Sequence, residues 1–272
     1  MNDIEYLKKK ATEIRLDVLN MIYEAKAGHI GGSFSSIDIL TALYYGTMNV
    51  EPKNPQWEDR DRFILSKGHI AEALWAILAD LGFFAKDELT TFSQFGTRLI
   101  GHPNNKVAGV EMNTGSLGHG LSVATGMALA AKMDQKSYKT YTLMGDGELA
   151  EGSIWEAAMA AAHYKLDNLV AIIDRNGLQI SGATEDVMRL ESLANKWESF
   201  GWEVEEGNGH DMEELMQVLS LVPKTNDRPT LLIANTIKTK GISFAEDVAS
   251  WHHHVPTTEQ YNLAAVELEA MI

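Results

Sequence analysis

The segment GDGELAEG, at residues 145–152, places three carboxylates in a glycine-containing turn directly after an apolar run. Its acidic residues are Asp146, Glu148 and Glu151, and it holds no lysine or arginine. In α/β proteins a glycine turn at this place usually cradles a phosphate, which an acidic turn repels. A divalent cation resolves the conflict, because Mg²⁺ binds oxygen ligands and commonly bridges carboxylates to substrate phosphates.

The cation interpretation predicts a metal site that spans two strand ends. Asp146 follows one apolar run, and Asn176 follows the next one along the chain. Adjacent parallel strands lie about 5 Å apart, so these two side chains can meet across one ion. The backbone carbonyl of Leu178 is the third predicted ligand.

Two other interpretations of the turn remain open. Aspartate and glycine are common turn residues, so the segment could be an ordinary turn. Gly145, Gly147 and Ala150 also satisfy the dinucleotide pattern G-x-G-x-x-A, although a lone match is weak. In that case Asp146 would face the pyrophosphate. A P-loop is excluded, because the chain has no G-x-x-x-x-G-K-S/T segment.

Histidines form the second group of residues suited to chemistry, because neutral imidazole both donates and accepts protons near pH 7. Nine occur, and five of them directly follow a glycine: His29, His69, His102, His119 and His210. For any one histidine a structural role is the more common one. The run of three histidines at 252–254 is a poor zinc site, because adjacent side chains diverge and no separate cluster completes four ligands.

The elements that must position these groups follow from hydrophobic periodicity. A helix is predicted over Ile4–Ala25, ended by the glycine-rich AGHIGGS, with further helices over SSIDILTALYY and AEALWAILADLG. Strands are predicted in DRFILSKGH, KTYTLM, NLVAIID and PTLLIANT, and a weaker one in WEVEEG. Alternating strands and helices predict an α/β fold, a parallel sheet flanked by helices on both faces, in one domain over residues 1–272.

Composition restricts the function classes. The formal net charge of −15 argues against nucleic acid or an anionic membrane as a partner. The absence of cysteine excludes disulfides, zinc-thiolate sites and cysteine nucleophiles. No apolar run approaches the roughly 20 residues that span a bilayer, and the polar start MNDIEYLKKK lacks a signal-peptide core. We therefore expect a cytoplasmic enzyme or enzyme subunit.

A family resemblance narrows this expectation. Gly145-Asp146-Gly147, followed after 28 residues by Asn176, is similar to the fingerprint of thiamine diphosphate enzymes. Along nearly its whole length the chain resembles the N-terminal, diphosphate-binding part of transketolase. The matching segments are AKAGHIGGSFSSIDIL, DRFILSKGHIAEALWAIL, LIGHP, NTGSLGHGLSVATGMALA, GDGELAEGSIWEA, DRNGLQISG and SWHHH.

The resemblance implies thiamine diphosphate and Mg²⁺ as cofactors, with Ca²⁺ or Mn²⁺ as substitutes. It implies that His69 and His252 fix the diphosphate and that His252 also faces the reacting carbonyl. His102 would hydrogen-bond the two-carbon unit, and His29 would lie near the acceptor aldehyde. Glu151 would join a carboxylate network across a dimer interface.

The same resemblance assigns the remaining site residues. Besides His69 and His252, the implied cofactor-binding residues are Gly115, Ser116, Leu117, Gly147, Glu148, Asn176 and Ile180. The implied metal ligands are Asp146, Asn176 and Leu178. His119 stands where many family members have glutamine. The glycine that often follows the first histidine of the WHHH run is missing, so the choice between His252 and His253 stays open.

One group that the chemistry requires is missing from the chain. In this family a glutamate from a second domain touches the aminopyrimidine ring, and the sequence stops at Ile272, just after the first domain. The resemblance therefore implies one half of a split transketolase, nearly silent alone, which reversibly transfers a two-carbon ketol unit from a ketose phosphate to an aldose phosphate. A C-terminal partner subunit would supply the pyrimidine site and the activating glutamate, in a heterotetramer of two chains of each kind.

Alternatives remain open at this point. A deoxyxylulose-phosphate synthase-like enzyme and a transketolase for an unusual sugar use the same cofactor domain, although the GSLGHG loop favours transketolase over the synthase. A non-catalytic cofactor-binding subunit is disfavoured by the four histidines aimed at a sugar. A nicotinamide dehydrogenase would need only the glycine pattern.

Overall fold

The structure is a computed structural model that describes residues 3–224 and 226–272. The predicted domain, residues 1–272, thus includes residues 1, 2 and 225, which lie outside the described part. The strands, in chain order, are β1 (Arg62–Leu65), β2 (Thr140–Gly145), β3 (Leu169–Arg175), β4 (Leu178–Gln179), β5 (Gly182–Ala183), β6 (Glu203–Asn208) and β7 (Thr230–Asn235). The first three strands, β7 and β6 form one sheet in the order β1-β2-β3-β7-β6, whereas β4 and β5 pair as a small hairpin.

All pairings in the five-stranded sheet are parallel, as the sequence predicts. Each predicted strand is present at its predicted place. The weakest prediction, WEVEEG, corresponds to the edge strand β6, whose residues are half-buried or exposed. An edge strand lacks the continuous apolar run of an internal parallel strand, which explains its weak signal.

The helices cover both faces of this sheet. They are α1 (Ile4–Ala25), α2 (Ile30–Thr41), α3 (Ala71–Leu81), α4 (Gly120–Met133), α5 (Gly152–His163), α6 (Thr184–Val187), α7 (Leu193–Ser199), α8 (Met212–Ser220) and α9 (Thr258–Glu269). Alternate residues of β3 belong to different cores: Val170 and Ile172 pack with α1, α2 and α3, while Ala171 and Ile173 pack with α4, α5 and α7. This alternation follows from the two-residue period of a strand. None of the described helices is long and apolar enough to cross a membrane.

One predicted boundary is wrong. The glycine-rich segment does end α1, but α2 begins at Ile30 and not at Ser35, so both of its glycines lie in the first turn. Close packing explains them, since a Cβ atom on Gly31 would lie 2.7 Å from the carbonyl oxygen of Trp251. All 12 residues of α2 are buried. Its carboxyl end continues as a π turn at residues 42–47.

The parallel arrangement brings four chain segments to one edge of the sheet. They follow the carboxyl ends of β1, β2, β3 and β7, at residues 66–69, 146–150, 176–180 and 236–238. Ligands of open α/β sheets bind at this edge.

Candidate functional site

A cavity of about 310 Å³ lies at this edge of the sheet. Eleven of the residues selected from the sequence line it: His29, His69, Gly115, Leu117, Asp146, Gly147, Glu148, Asn176, Leu178, Ile180 and His252. Seven of them follow the carboxyl ends of β1, β2 and β3, and the convergence of these strand ends explains their meeting. The other four, His29, Gly115, Leu117 and His252, come from segments before α2, α4 and α9.

Three other predicted residues do not line the cavity. His102 packs beside it, since a Cβ atom on Gly115 would lie 2.8 Å from the Cδ2 atom of His102. Ser116 and Glu151 have exposed side chains outside the lining. The roles predicted for His102, Ser116 and Glu151 therefore depend on contacts made outside the cavity wall.

Histidine rings cluster in and beside the cavity. The ring centroid of His29 lies 5.2 Å from that of His69, 6.4 Å from that of His102 and 5.7 Å from that of His252. His252 also stacks on His69, with centroids 5.4 Å apart. The ring of His253 lies 4.6 Å from that of His29 but is exposed and outside the lining. His252 and His253, between which the sequence leaves the choice open, therefore both lie near His29. His252 approaches it from within the cavity, and His253 approaches it from outside.

The electrostatics of the cluster keep its imidazoles neutral. Burial, followed by the charge of Lys67, holds the pKa of His69 well below its ordinary range. Burial and the nearby His253 lower the pKa of His29 to about 4. Burial and Lys238 lower the pKa of His252 to about 3. At neutral pH these rings can each donate one hydrogen bond and accept another.

Sequence reasoning missed two lysines that line the cavity. Lys67 is 2% exposed and forms a buried ion pair with Asp174, the penultimate residue of β3. The hydroxyls of Ser35 and Ser36 donate to the same carboxylate at 2.7 and 3.0 Å. Burial alone would raise the pKa of Asp174, but Lys67 and hydrogen bonds from the hydroxyls of Thr236 and Ser35 bring it well below the ordinary value. An aspartate in a buried apolar strand requires a partner for its charge. The presence of Asp174 in the apolar run NLVAIID could therefore have indicated a buried cation such as Lys67.

The second lysine, Lys238, follows β7 and is also 2% exposed. Burial and the neighbouring charge of Lys67 lower its pKa to about 8. Gln179, which was not selected from the sequence, and Gly145, the first residue of the fingerprint, also line the cavity. Because Lys67 is paired with Asp174, Lys238 is the lysine of the cavity lining whose ammonium group is free to bind an anionic ligand such as a diphosphate.

The predicted metal ligands line the same cavity. The Oδ2 atom of Asp146 accepts hydrogen bonds from Gly177 N–H at 2.7 Å and from Arg175 at 3.1 Å. Burial and the charge of Asp174 raise the pKa of Asp146, so an additional cation would stabilise its ionised form.

The chemistry of this donor set fits a hard cation. Asp146, Asn176 and Leu178 all line the cavity and supply carboxylate, amide and backbone oxygens, which suit Mg²⁺ or Ca²⁺. No cluster of three His, Asp or Glu side chains suited to a metal occurs within residues 3–224 and 226–272. A metal here would therefore depend on amide and backbone oxygens as well as on one carboxylate.

Comparison with known proteins identifies the family. Residues 7–261 match the family described as "Transketolase, thiamine diphosphate binding domain". The chain belongs to this transketolase family. It is 53% identical over 269 residues to an apulose-4-phosphate transketolase subunit of Phocaeicola vulgatus, covering 99% of this chain and 96% of that protein. It is 43% identical over 264 residues to a 6-deoxy-6-sulfo-D-fructose transketolase subunit of Clostridium sp., covering 97% of this chain and 96% of that protein.

Longer transketolases share only part of their length with this chain. It is 40% identical to human transketolase over 250 residues, which cover 92% of this chain and 40% of the human protein. The crystal structure of transketolase from Campylobacter jejuni superposes with a TM-score of 0.92 at 34% identity, over 99% of this chain and 43% of that one. The fold is thus that of the thiamine diphosphate-binding domain of transketolases, and these relatives are transferases.

Within this transketolase domain, Glu148 connects three loops of the site. It is 3% exposed, and its carboxylate accepts hydrogen bonds from the Ser66 hydroxyl, Gly118 N–H at 2.8 Å and Gly145 N–H at 3.0 Å. Glu148 lines the cavity, but its oxygens are engaged by protein donors. It is therefore suited to hold the cofactor loops together.

Proposed function

We propose that this chain is the thiamine diphosphate-binding subunit of a two-chain transketolase. In this role it takes part in the reversible transfer of a two-carbon ketol unit from a ketose phosphate to an aldose phosphate. The observation that carries the proposal is one cavity whose lining includes two lysines, three histidines with lowered pKa values and oxygen donors suited to a divalent cation. This combination of groups suits a diphosphate bridged to a metal.

The residues that line the cavity have different roles in binding the cofactor. Lys238 and His69 bind the diphosphate, while Asp146, Asn176 and the Leu178 carbonyl hold Mg²⁺, with Ca²⁺ or Mn²⁺ as substitutes. Gly115 and Gly147 allow close approach of the backbone, and Leu117 and Ile180 supply apolar walls. Thiamine diphosphate, when bound, supplies a carbon nucleophile and an electron sink for cleavage beside a ketose carbonyl.

The histidines handle the protons of the sugar. His252 faces the reacting carbonyl, His102 hydrogen-bonds the two-carbon unit, and His29 lies near the acceptor aldehyde. Their lowered pKa values support this division, because neutral imidazole can take a proton from a hydroxyl and return it.

A second chain completes the enzyme. Ile180 lines the cavity yet is 71% exposed, so this apolar wall is open on its outer side. The two relatives from Phocaeicola vulgatus and Clostridium sp. match this chain over nearly their full length, whereas human transketolase is matched over 40% of its length. We propose that a C-terminal subunit covers Ile180, supplies the activating glutamate and joins the carboxylate network at Glu151, with two chains of each kind.

The proposal also specifies a donor sugar. The same two relatives are named as transketolase subunits for apulose 4-phosphate and for 6-deoxy-6-sulfo-D-fructose. Both names specify unusual ketoses with an anionic group. Because the first relative is 53% identical, we propose apulose 4-phosphate as the first donor to test, with xylulose 5-phosphate as the standard one.

A reconstitution assay tests the function. This chain, alone and mixed with the product of the neighbouring gene, is given thiamine diphosphate, Mg²⁺, each donor in turn and an aldose phosphate acceptor. We expect ketol transfer only in the mixture. Activity of the chain alone would contradict the partner requirement. Inactivity of the mixture on every ketose, with cofactor still bound, would favour a non-catalytic binding subunit.

A further inference from the structure

We propose that helix α3 fixes the relative positions of three histidines of the site, with Glu72 as the positioning residue of His29. His69 lies in the 3₁₀ turn at residues 68–70, immediately before α3. Glu72 lies in the first turn of α3, and Trp75 follows one turn later. The two side chains reach the loops that carry the other two histidines.

Glu72 is a buried carboxyl group with a single backbone partner on another element. It is 0% exposed, and its Oε1 atom accepts the backbone N–H of His29. Its Oε2 atom has no hydrogen-bond partner within residues 3–224 and 226–272. A buried carboxyl without a cation is costly. An apolar side chain would avoid that cost but would leave the partly buried N–H of His29 without its acceptor.

The backbone before His29 is shaped around this carboxyl group. Gly28 has φ +145°, and a Cβ atom there would lie 2.6 Å from the Oε1 atom of Glu72 and 2.6 Å from Ile22. His29 is the N-cap of α2 and makes no side-chain cap hydrogen bond. The contact with Glu72 therefore determines where α2 begins and where the His29 ring enters the site.

Trp75 positions the loop that carries His102, as Glu72 positions the segment that carries His29. Its indole is buried, and its Nε1 atom donates to the backbone carbonyl of Ile100 at 2.9 Å. Ile100 precedes His102 by two residues, and His102 packs on Gly115 beside the cavity. Helix α3 thus positions all three histidines: His69 by direct backbone connection, His29 through Glu72 and His102 through Trp75. Misplacement of a reacting group by about 1 Å can lower a rate about a hundredfold, so this arrangement matters for turnover.

The backbone amide of His29 reports the contact directly. The full chain is prepared with isotope-labelled histidine, which gives backbone amide signals for its nine histidines, and His29→Gln identifies the signal of residue 29. We expect this amide proton at low field in the wild-type chain and in Glu72→Gln, which keeps an acceptor oxygen. In Glu72→Met, which fills the space without an acceptor, the signal moves to high field. An unshifted signal in Glu72→Met overturns the proposal.

A matched control and a second route keep this test decisive. Glu259 is an exposed glutamate in the first turn of α9, so Glu259→Gln should leave the His29 signal unchanged. A His29 amide at the position of an unbonded amide in the wild-type chain also overturns the proposal and needs no variant of Glu72. If Glu72→Met does not fold, Glu72→Ala replaces it with the same readouts.

Kinetics of the reconstituted enzyme give the functional consequence, and this arm alone rests on the proposed function. We expect Glu72→Met to lower kcat by about tenfold or more, because a displaced His29 loses its orientation, while cofactor affinity is preserved. Glu72→Gln should restore kcat to within about threefold of the wild-type value, because the acceptor returns. Equal losses in both variants, or none in Glu72→Met, contradict the proposal. An inactive wild-type mixture refutes the proposed function instead, while the His29 signal still decides the role of Glu72.

Discussion

The Nζ atom of Lys238 lies 3.5 Å from the backbone carbonyl oxygen of Leu178, which is also a candidate metal ligand. Lys238 is 2% exposed, and no carboxylate lies within ion-pair distance of it among the described residues. Burial and Lys67 lower the pKa of Lys238 to about 8. A buried ammonium group without a carboxylate is stabilised by a bound anion, which supports the proposed contact between Lys238 and the diphosphate.

Replacement of this ammonium should weaken cofactor binding. We expect Lys238→Met to lower the affinity for thiamine diphosphate by about tenfold or more, since a buried charge-assisted contact contributes about 1.5–3 kcal/mol. Calorimetric titration of the reconstituted protein measures this affinity. Lys240→Met is the control, because Lys240 pairs with Glu246 at 3.1 Å and does not line the cavity. Equal affinities of wild type and Lys238→Met would remove the lysine from the diphosphate site.

The metal assignment predicts a loss of metal dependence. Asp146→Asn keeps the size of the side chain but removes its charge, and Asn176→Ala removes an amide ligand. We expect either change to abolish the Mg²⁺-dependent part of thiamine diphosphate binding, because hard cations require these oxygen ligands. Titrations with and without Mg²⁺ measure that part, with Asp134→Asn as an exposed control at the end of α4. Unchanged Mg²⁺ dependence in both variants would exclude the assigned ligands.

His102 should affect turnover and not cofactor affinity. Its ring lies beside the cavity and does not line it, so it can reach a substrate without contacting the diphosphate. We expect His102→Ala to lower kcat about a hundredfold, a typical contribution of a positioned proton-transfer group. The exposed His163→Ala is the control. A loss of cofactor binding with normal kcat at saturation would reverse the assigned role.

The sequence predicts those parts of the fold that follow from the local pattern of apolar residues. Apolar runs of strand length gave the parallel sheet, and parallel strands necessarily bring their carboxyl ends together. That rule alone predicts that Asp146 and Asn176 meet, and both line the cavity. The rule also covers His69, which follows β1, but it does not cover His29, His102 or His252, which do not directly follow a strand. The expectation for those three came from the family resemblance.

Long-range polar contacts were not predictable in the same way. The carboxyl group of Glu72 and the N–H of His29 are 43 residues apart, and Lys238 is 60 residues from Leu178. Nothing in the local sequence shows that a glutamate on an apolar helix will be buried against a loop glycine. The boundary of α2 was wrong for a related reason: Gly31 usually signals the end of a helix, but here it provides space for Trp251.

The buried carboxyl group of Glu72 also predicts how stability depends on pH. Burial raises its pKa from 4.5 to about 7, and the hydrogen bonds from its own backbone N–H and from that of His29 offset this effect only in part. Because the folded-state pKa is the higher one, this contribution to stability is fully present below about pH 4.5 and is lost as the pH rises through about 7. Relative to Glu72→Gln, the wild-type free energy of unfolding should therefore fall by on the order of 3 kcal/mol between about pH 5 and pH 8. Urea unfolding at several pH values measures this difference, and Glu259→Gln should follow the wild-type curve. A constant difference between wild type and Glu72→Gln across this range would mean that Glu72 is ionised in the folded chain throughout.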